Sequence, residues 1–323
     1  MRRREFVGLV IAAGGWSRVA RAQQGERVRR IGFLRAARPP QHELDALLNA
    51  LSERHYVEGR NFVLVPQWGE GDTAELPQLV ASLVKEKVEL IVTEGTVAVR
   101  AAANANSTIP VVTTSAADPF MGGLVKSLSR PGGNVTGFAS MEKDISSKVF
   151  EILKEMVPGL RRIGVLASAS IRGLFAPGQD EAARALGIEY GFFDMPRAEA
   201  APEAMDQAVA GGVQGIVLRG SPYFSSAQRR LIIESAAARR LPAIYERRDD
   251  AERGGLVSYA PNIQDQYRAT AEYVVRILAG ANPGELPIQQ PTRFEMVINL
   301  KTAKALGLTV PVALLARADE VIE

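Results

Sequence analysis

From Arg27 onward the chain alternates short, almost wholly apolar runs with longer stretches whose apolar residues recur every three or four positions. Ile31-Gly-Phe-Leu34 reads as a strand, and His42–His55 as a helix with Leu44, Leu47, Leu48 and Leu51 on one face. The rhythm continues with strands at Asn61–Val65, Val88–Thr93 and Pro110–Thr114, and helices at Ala74–Lys87, Thr96–Asn106 and Pro119–Ser129. A second block repeats it, with strands at Arg162–Ala167, Gly187–Phe193, Val213–Leu218 and Pro242–Tyr245. Helices at Gly178–Leu186, Glu199–Ala210 and Ser225–Arg240 fall between them. VELIVT and IPVVTT are apolar at nearly every position, the pattern of parallel strands covered on both faces.

Such alternation with short loops predicts an α/β protein of two Rossmann-like, doubly wound lobes. Between the blocks lies Arg130-Pro-Gly-Gly-Asn-Val-Thr-Gly-Phe138, whose glycines precede a strand and so read as a helix stop and tight turn. A glycine-rich strand at Gly254–Pro261 and a further stretch at Gln289–Phe294 supply two more candidate crossings. Three crossings make a hinge with a ligand cleft beside it. The expected lobes are 27–138 plus about 260–290, and 139–259 plus about 291–323.

The N-terminus departs from this rhythm. Met1–Glu5 is basic, Phe6–Gly15 is an apolar run of 10 residues, and Ala20-Arg-Ala22 matches an A-x-A cleavage site. Residues 1–22 are therefore expected to be an export signal, too short in its apolar run to span a membrane. Arg3-Arg-Glu-Phe-Val7 resembles the twin-arginine export motif, which points to a bacterial periplasm with no lipid anchor. The tail also explains the charge. The chain has 39 basic and 36 acidic residues; without the five Arg and one Glu of residues 1–22, 34 and 35 remain. The body is nearly neutral, so nucleic acid is not an expected partner.

Composition removes much chemistry. With no Cys, disulfides, thiol nucleophiles and Cys-held metals are excluded, and His42 and His55 are the only histidines. The sequence has no G-x-G-x-x-G, G-x-x-x-x-G-K-[ST], G-x-S-x-G or H-E-x-x-H motif. The expectation is a non-enzyme that uses neither metal nor cofactor and works as a monomer.

Open α/β sheets bind ligands in loops beyond the carboxyl ends of their strands. In the first block that rule selects Arg35, then Gly95 and Thr96, then Ser115 and Asp118. Thr96 opens a helix, either as a simple N-cap or beside N–H groups that suit a carboxylate. Asp118 precedes Pro119 and either caps that helix or meets a ligand ammonium. In the second block the rule selects Ser168, then Ser221 and Tyr223 with hydrogen bonds and an aromatic face, then Tyr245, equally readable as core. Arg35 alternatively suits an anionic or carboxylated aromatic ligand.

Several phrases resemble one family. They are Tyr56-Val-Glu-Gly-Arg-Asn61, Leu76-Pro-Gln-Leu-Val80, Thr108-Ile-Pro-Val111, Asp118-Pro119 and Leu128-Ser-Arg-Pro-Gly-Gly-Asn-Val-Thr-Gly137. Leu241-Pro-Ala-Ile-Tyr245, Gly254-Gly-Leu-Val-Ser-Tyr259 and the stretches 290–308 and 315–323 complete the set. From about Val28 to its end the chain resembles ABC-transporter substrate-binding proteins of the group with tryptophan- and tyrosine-binding members. The resemblance implies a type I periplasmic-binding-protein fold that closes on a small organic solute and delivers it to permease subunits. It also implies that Thr96 and Asp118 line the cleft. The sequence departs from the family at Ala167-Ser-Ala-Ser170, at Ser221-Pro222, at Arg35 and at Glu246-Arg-Arg-Asp-Asp250, so the ligand is not carried over. A sensory module for a membrane receptor is the alternative role, and a secreted α/β enzyme a more remote one. If Asp118 holds a ligand ammonium, Asp118→Ala abolishes binding of cationic or zwitterionic ligands in a titration; unchanged affinity contradicts it.

Overall fold

The computed structural model describes residues 28–105, 108–117 and 123–323. The export signal expected at 1–22 and Asp118, an expected ligand residue, lie outside the described residues. The first block gives β1 (Arg29–Arg35), α1 (Gln41–Ser52), β2 (Phe62–Trp68), α2 (Leu76–Lys85), β3 (Leu90–Glu94), α3 (Thr96–Ala105), β4 (Val111–Ala117) and β5 (Val135–Ser140). The second gives α4 (Glu142–Met156), β6 (Arg162–Ala167), α5 (Arg172–Leu186), β7 (Glu189–Asp194), α6 (Ala201–Ala210), β8 (Gly215–Leu218), α7 (Ser226–Ala238), β9 (Ala243–Tyr245), α8 (Arg248–Glu252) and β10 (Val257–Pro261). The remaining elements are α9 (Ile263–Leu278), β11 (Phe294–Asn299), α10 (Leu300–Leu306), α11 (Val312–Leu315) and β12 (Glu320–Ile322).

Two sheets result, one to each lobe. The first has the order β2-β1-β3-β4-β5 with every pairing parallel. The second has the order β12-β11-β10-β9-β8-β6-β7. Read from β7 to β10, it repeats the first sheet's winding, and β11 then adds antiparallel to β10. Each winding reverses beside its first strand, at β1/β3 and at β6/β8, so loops at those strand ends can part around a ligand. All five residues of β3 are buried, as expected for a strand covered on both faces.

The helices dock through apolar stripes. α1 buries Ala46, Leu47, Ala50 and Leu51, which join Phe33, Tyr267, Ala271 and Val274 in the core on one face of the first sheet. α9 therefore belongs to the first lobe, although it follows a strand of the second. Between them, Pro261 ends β10 and Asn262 caps α9 by accepting a hydrogen bond from the Asp265 amide at 3.0 Å. Farther on, Gln289 pairs with the edge of β5 before the chain enters β11: the Gln289 amide donates to Gly137 and the Ala139 amide donates to Gln289. α4 takes Ile145, Val149, Phe150 and Leu153 into the core of the second lobe.

The helix expected over Pro119–Ser129 is not formed across its described part, residues 123–129. Gly123 takes φ +68°, a conformation that ends a helix. Backbone pairing elsewhere takes over: the Lys126 amide donates to Pro131 at 2.9 Å, and the Ile288 amide donates to Leu128 at 2.7 Å. α5 starts earlier than expected and carries Pro177 inside it.

The last glycine of the glycine-rich stretch, within β5, has a clear physical basis. Gly137 pairs with Thr113 across β4 and β5 at φ +117°, and a Cβ there would lie 2.2 Å from the Thr113 carbonyl oxygen. Both the backbone conformation and the contact exclude a side chain. Gly137→Ala should lower unfolding free energy by about 3 kcal/mol or more in a urea titration. A loss below about 1 kcal/mol would contradict this account of Gly137.

Candidate functional site

Arg35 ends β1, Glu94 ends β3, and Glu43 sits on the first turn of α1, otherwise a face that contacts apolar core. These three charged groups are buried in the first lobe, at 0, 1 and 1 % side-chain exposure. Arg247, just beyond β9, enters from the second lobe and is 4 % exposed. Its Nη1 donates to Glu43 Oε1, and its Nη2 donates to Glu94 Oε1 at 2.5 Å. Arg35 lies 3.5 Å from Glu43 and 3.4 Å from Glu94, and its Nε also donates to the Pro222 carbonyl of the second lobe at 3.1 Å. Tyr267 of α9 donates its hydroxyl to Glu94 Oε2 at 2.8 Å. Two cations and two anions thus neutralise one another across the lobe boundary.

The network sets proton affinities. Burial opposes the Glu94 charge, but Arg247, Arg35 and the Tyr267 hydroxyl outweigh it and hold the carboxyl below its ordinary value. Burial also works against the Arg247 charge, yet Glu43 and Glu94 raise its pKa.

Beside this cluster lies a cavity of ≈ 90 Å³, bounded by both lobes and by the β10–α9 crossing. One water needs about 10–15 Å³ on the same measure, so the cavity admits a small organic molecule. Its first-lobe wall is the start of α3, with Gly95 and Thr96, together with Ser115 at the end of β4. The Gly95 carbonyl accepts the first helical bond from Val99, so Gly95 is the N-cap and leaves the helix without a capping side chain. Thr96 is the first helical residue, not the cap expected from the sequence; its hydroxyl donates to the Ala117 carbonyl at 2.9 Å. Gly95 takes φ +91°, and a Cβ on it would lie 3.3 Å from the Tyr223 hydroxyl. That close approach lets the Val97 amide reach the Tyr223 oxygen at 3.5 Å.

The second-lobe wall centres on Arg219, immediately after β8. Its Nη2 donates to Glu142, its Nη1 lies 3.1 Å from Glu246, and its guanidinium sits 4.4 Å above the Phe175 ring. Burial raises the Glu142 pKa, with Glu246 adding repulsion and Arg219 opposing both. Ile171, Phe175 and Tyr223 also pack with Leu34, Val99 and Ala116 of the first lobe, so apolar contact as well as charge spans the boundary.

Gly95, Thr96, Ser115 and Tyr223 therefore share one cavity, as the strand-end rule expects. Arg35 lies outside the lining, because its guanidinium is committed to Glu43 and Glu94. This geometry gives no support to Arg35 as the anchor of an anionic ligand. Ser168 also lies outside; its hydroxyl accepts from the Ser170 amide at the start of a short turn. Tyr245 is 3 % exposed in the second core, also away from the cavity. The Ser221 side chain is outside the described residues. Sequence reading did not single out Glu94, Glu142, Arg219, Arg247 or Gln266 as binding residues. Glu94, Arg219 and Arg247 stand in or beside loops that the strand-end rule selects, but nothing in the rule ranks them above their neighbours. Gln266 carries no such signal.

The chain matches the model of a family described as ABC transporter substrate binding protein over residues 41–322. A tyrosine-binding protein of Clostridioides difficile is 25% identical over 266 residues, covering 81% of this chain and 75% of that protein. A solved conserved domain protein from Vibrio cholerae shares 27% identity at TM-score 0.84, covering 91% of this chain and 100% of the other. A Streptococcus pneumoniae ABC domain in complex with L-Trp shares 25% identity at TM-score 0.80, with the same coverages.

The inter-lobe cluster yields a test. Arg247→Met leaves Glu43 and Glu94 buried without their shared cation, a cost of about 3–5 kcal/mol that separation of the lobes relieves. The free variant should therefore open, giving a larger radius of gyration in solution scattering than the wild type; an unchanged radius contradicts the assignment. Of the groups that lower the Glu94 pKa only Arg247 leaves on lobe separation, so the attraction that favours closure needs the ionised carboxylate, and it is lost as pH falls below 4.5 through the lowered value. Acid should open the wild type in that window.

Proposed function

We propose a role from one premise: the chain belongs to the ABC transporter substrate-binding protein family, whose members bind solutes and are not enzymes. This member captures a small amino-acid-like solute in the cavity between its lobes, in the periplasm, and delivers it to the permease of an ABC importer. The observation that carries the reading is the cavity itself. It lies at the carboxyl ends of strands from both sheets and is closed by groups of both lobes.

The wall chemistry suits a zwitterion. At Gly95–Thr96 the start of α3, whose Val97 amide faces the Tyr223 hydroxyl, offers its partial positive charge to a carboxylate. Glu142 and Glu246 offer carboxylates to an ammonium, with Asp118 joining them by the sequence argument. Phe175, Tyr223 and Tyr259 supply aromatic surface for the rest of the solute. The tyrosine-binding relative and the L-Trp complex support the amino-acid class without fixing which one.

Function then follows from population shift. A solute that touches both lobes favours the closed form by its differential affinity, and the permease reads that form. No helix among the described residues is long and apolar enough to cross a membrane. A thermal-shift panel of amino acids, organic acids, amides and sugars tests the reading. At about 100 times its dissociation constant a true ligand adds roughly 2.7 kcal/mol, several degrees in melting temperature. Selective stabilisation by amino acids without turnover is expected; stabilisation by sugars alone, or turnover of the bound compound, would overturn it.

A further inference from the structure

Most polar groups around the cavity have partners within the protein. The Thr96 hydroxyl is bound to Ala117, Glu94 receives Arg247 and Tyr267, and both terminal nitrogens of Arg219 face carboxylates. Gln266 differs. It sits in the first turn of α9, just past the Pro261–Asn262 crossing, and lines the cavity at 5 % exposure. Its amide nitrogen and its amide oxygen are both buried, and neither has a hydrogen-bond partner.

A primary amide presents one acceptor and one donor group side by side in a plane. Exchanging the two terminal atoms leaves this inventory unchanged. Burying both without partners is unfavourable, and buried polar groups are satisfied almost everywhere in folded proteins. A second amide satisfies both at once with a single planar group, its carbonyl accepting from the Gln266 nitrogen and its NH₂ donating to the Gln266 oxygen; the α-carboxylate and α-ammonium of the solute could do so too, but the walls described above already face them. An aliphatic side chain at this spot would leave both unpaired.

We propose that Gln266 reads a side-chain carboxamide, so that the solute is asparagine- or glutamine-like. The inference rests on the proposed capture of an amino-acid-like solute in the same cavity. It adds what that reading leaves open, the identity of the group at the far end. Since Gln266 begins the helix that follows a crossing, the contact also ties the solute to the segment that turns when the lobes move.

Calorimetric titration of the purified protein with matched pairs tests this: glutamine against methionine, asparagine against leucine, and succinamide as a carboxamide without the amino-acid groups. The wild type should bind the carboxamide of each pair at least tenfold more tightly. Gln266→Leu should remove that preference by weakening the carboxamide member while keeping methionine, which also shows that the variant is folded. Gln266→Glu, which keeps acceptors and loses the donor, should weaken glutamine as well. Equal or tighter binding of methionine and leucine by the wild type, or a preference unchanged in Gln266→Leu, overturns the proposal and leaves amino-acid capture intact. Binding of succinamide but of no amino acid, with Gln266→Leu abolishing it, supports Gln266 as the carboxamide reader and overturns the amino-acid reading. Binding of none of the five overturns the carboxamide proposal, while the amino-acid reading stands or falls with the thermal-shift panel.

Discussion

Four buried charges, Arg35, Glu43, Glu94 and Arg247, hold the arrangement of this protein together. A charge taken out of water is tolerable only with a partner, and here three partners lie in one lobe and the fourth in the other. The closed arrangement pairs all four charges at once. Separation of the lobes must return Arg247 and its carboxylates to water, so the interface has two distinct states and little in between. Apolar contact through Phe175 and Tyr223 favours the same closed state by a different mechanism.

The paired windings explain why binding groups meet at all. Both sheets run in the same order, and each brings the ends of its central strands to the cleft. Arg35 and Glu94 end β1 and β3; Arg219 and Glu246 directly follow β8 and β9. Loops at such ends need not satisfy a ladder, so their side chains and amides are available to a solute. The α9 crossing then adds Gln266 from the side, where it borders the same cavity.

Much of the fold was legible in the sequence because its signals are local. Runs such as LIVTE of β3 and RIGVLA of β6 announce buried strands, and α1 announces itself by its leucine spacing. The helix expected over Pro119–Ser129 did not form over its described part, where the conformation of Gly123 decided the outcome. The site was less legible. Strand-end reasoning chose Gly95, Thr96, Ser115 and Tyr223, which border one cavity, and also Arg35, which does not and whose partners were hidden. Arg247 and Glu43 lie 204 positions apart, and Tyr267 and Glu94 lie 173 apart, so no spacing rule links them. Only the folded chain distinguishes an arginine spent on neighbours from one facing a solute.

The central claim is that a solute sits between the lobes, against the start of α3 on one side and the Arg219 wall on the other. The most direct measurement is a crystal structure with the ligand that most stabilises the protein. The account predicts density for that molecule enclosed by Gly95, Thr96, Arg219 and Tyr223, with Arg247 still bridging Glu43 and Glu94. Ligand density on an outer face, with the cavity closed over by protein side chains, would contradict it.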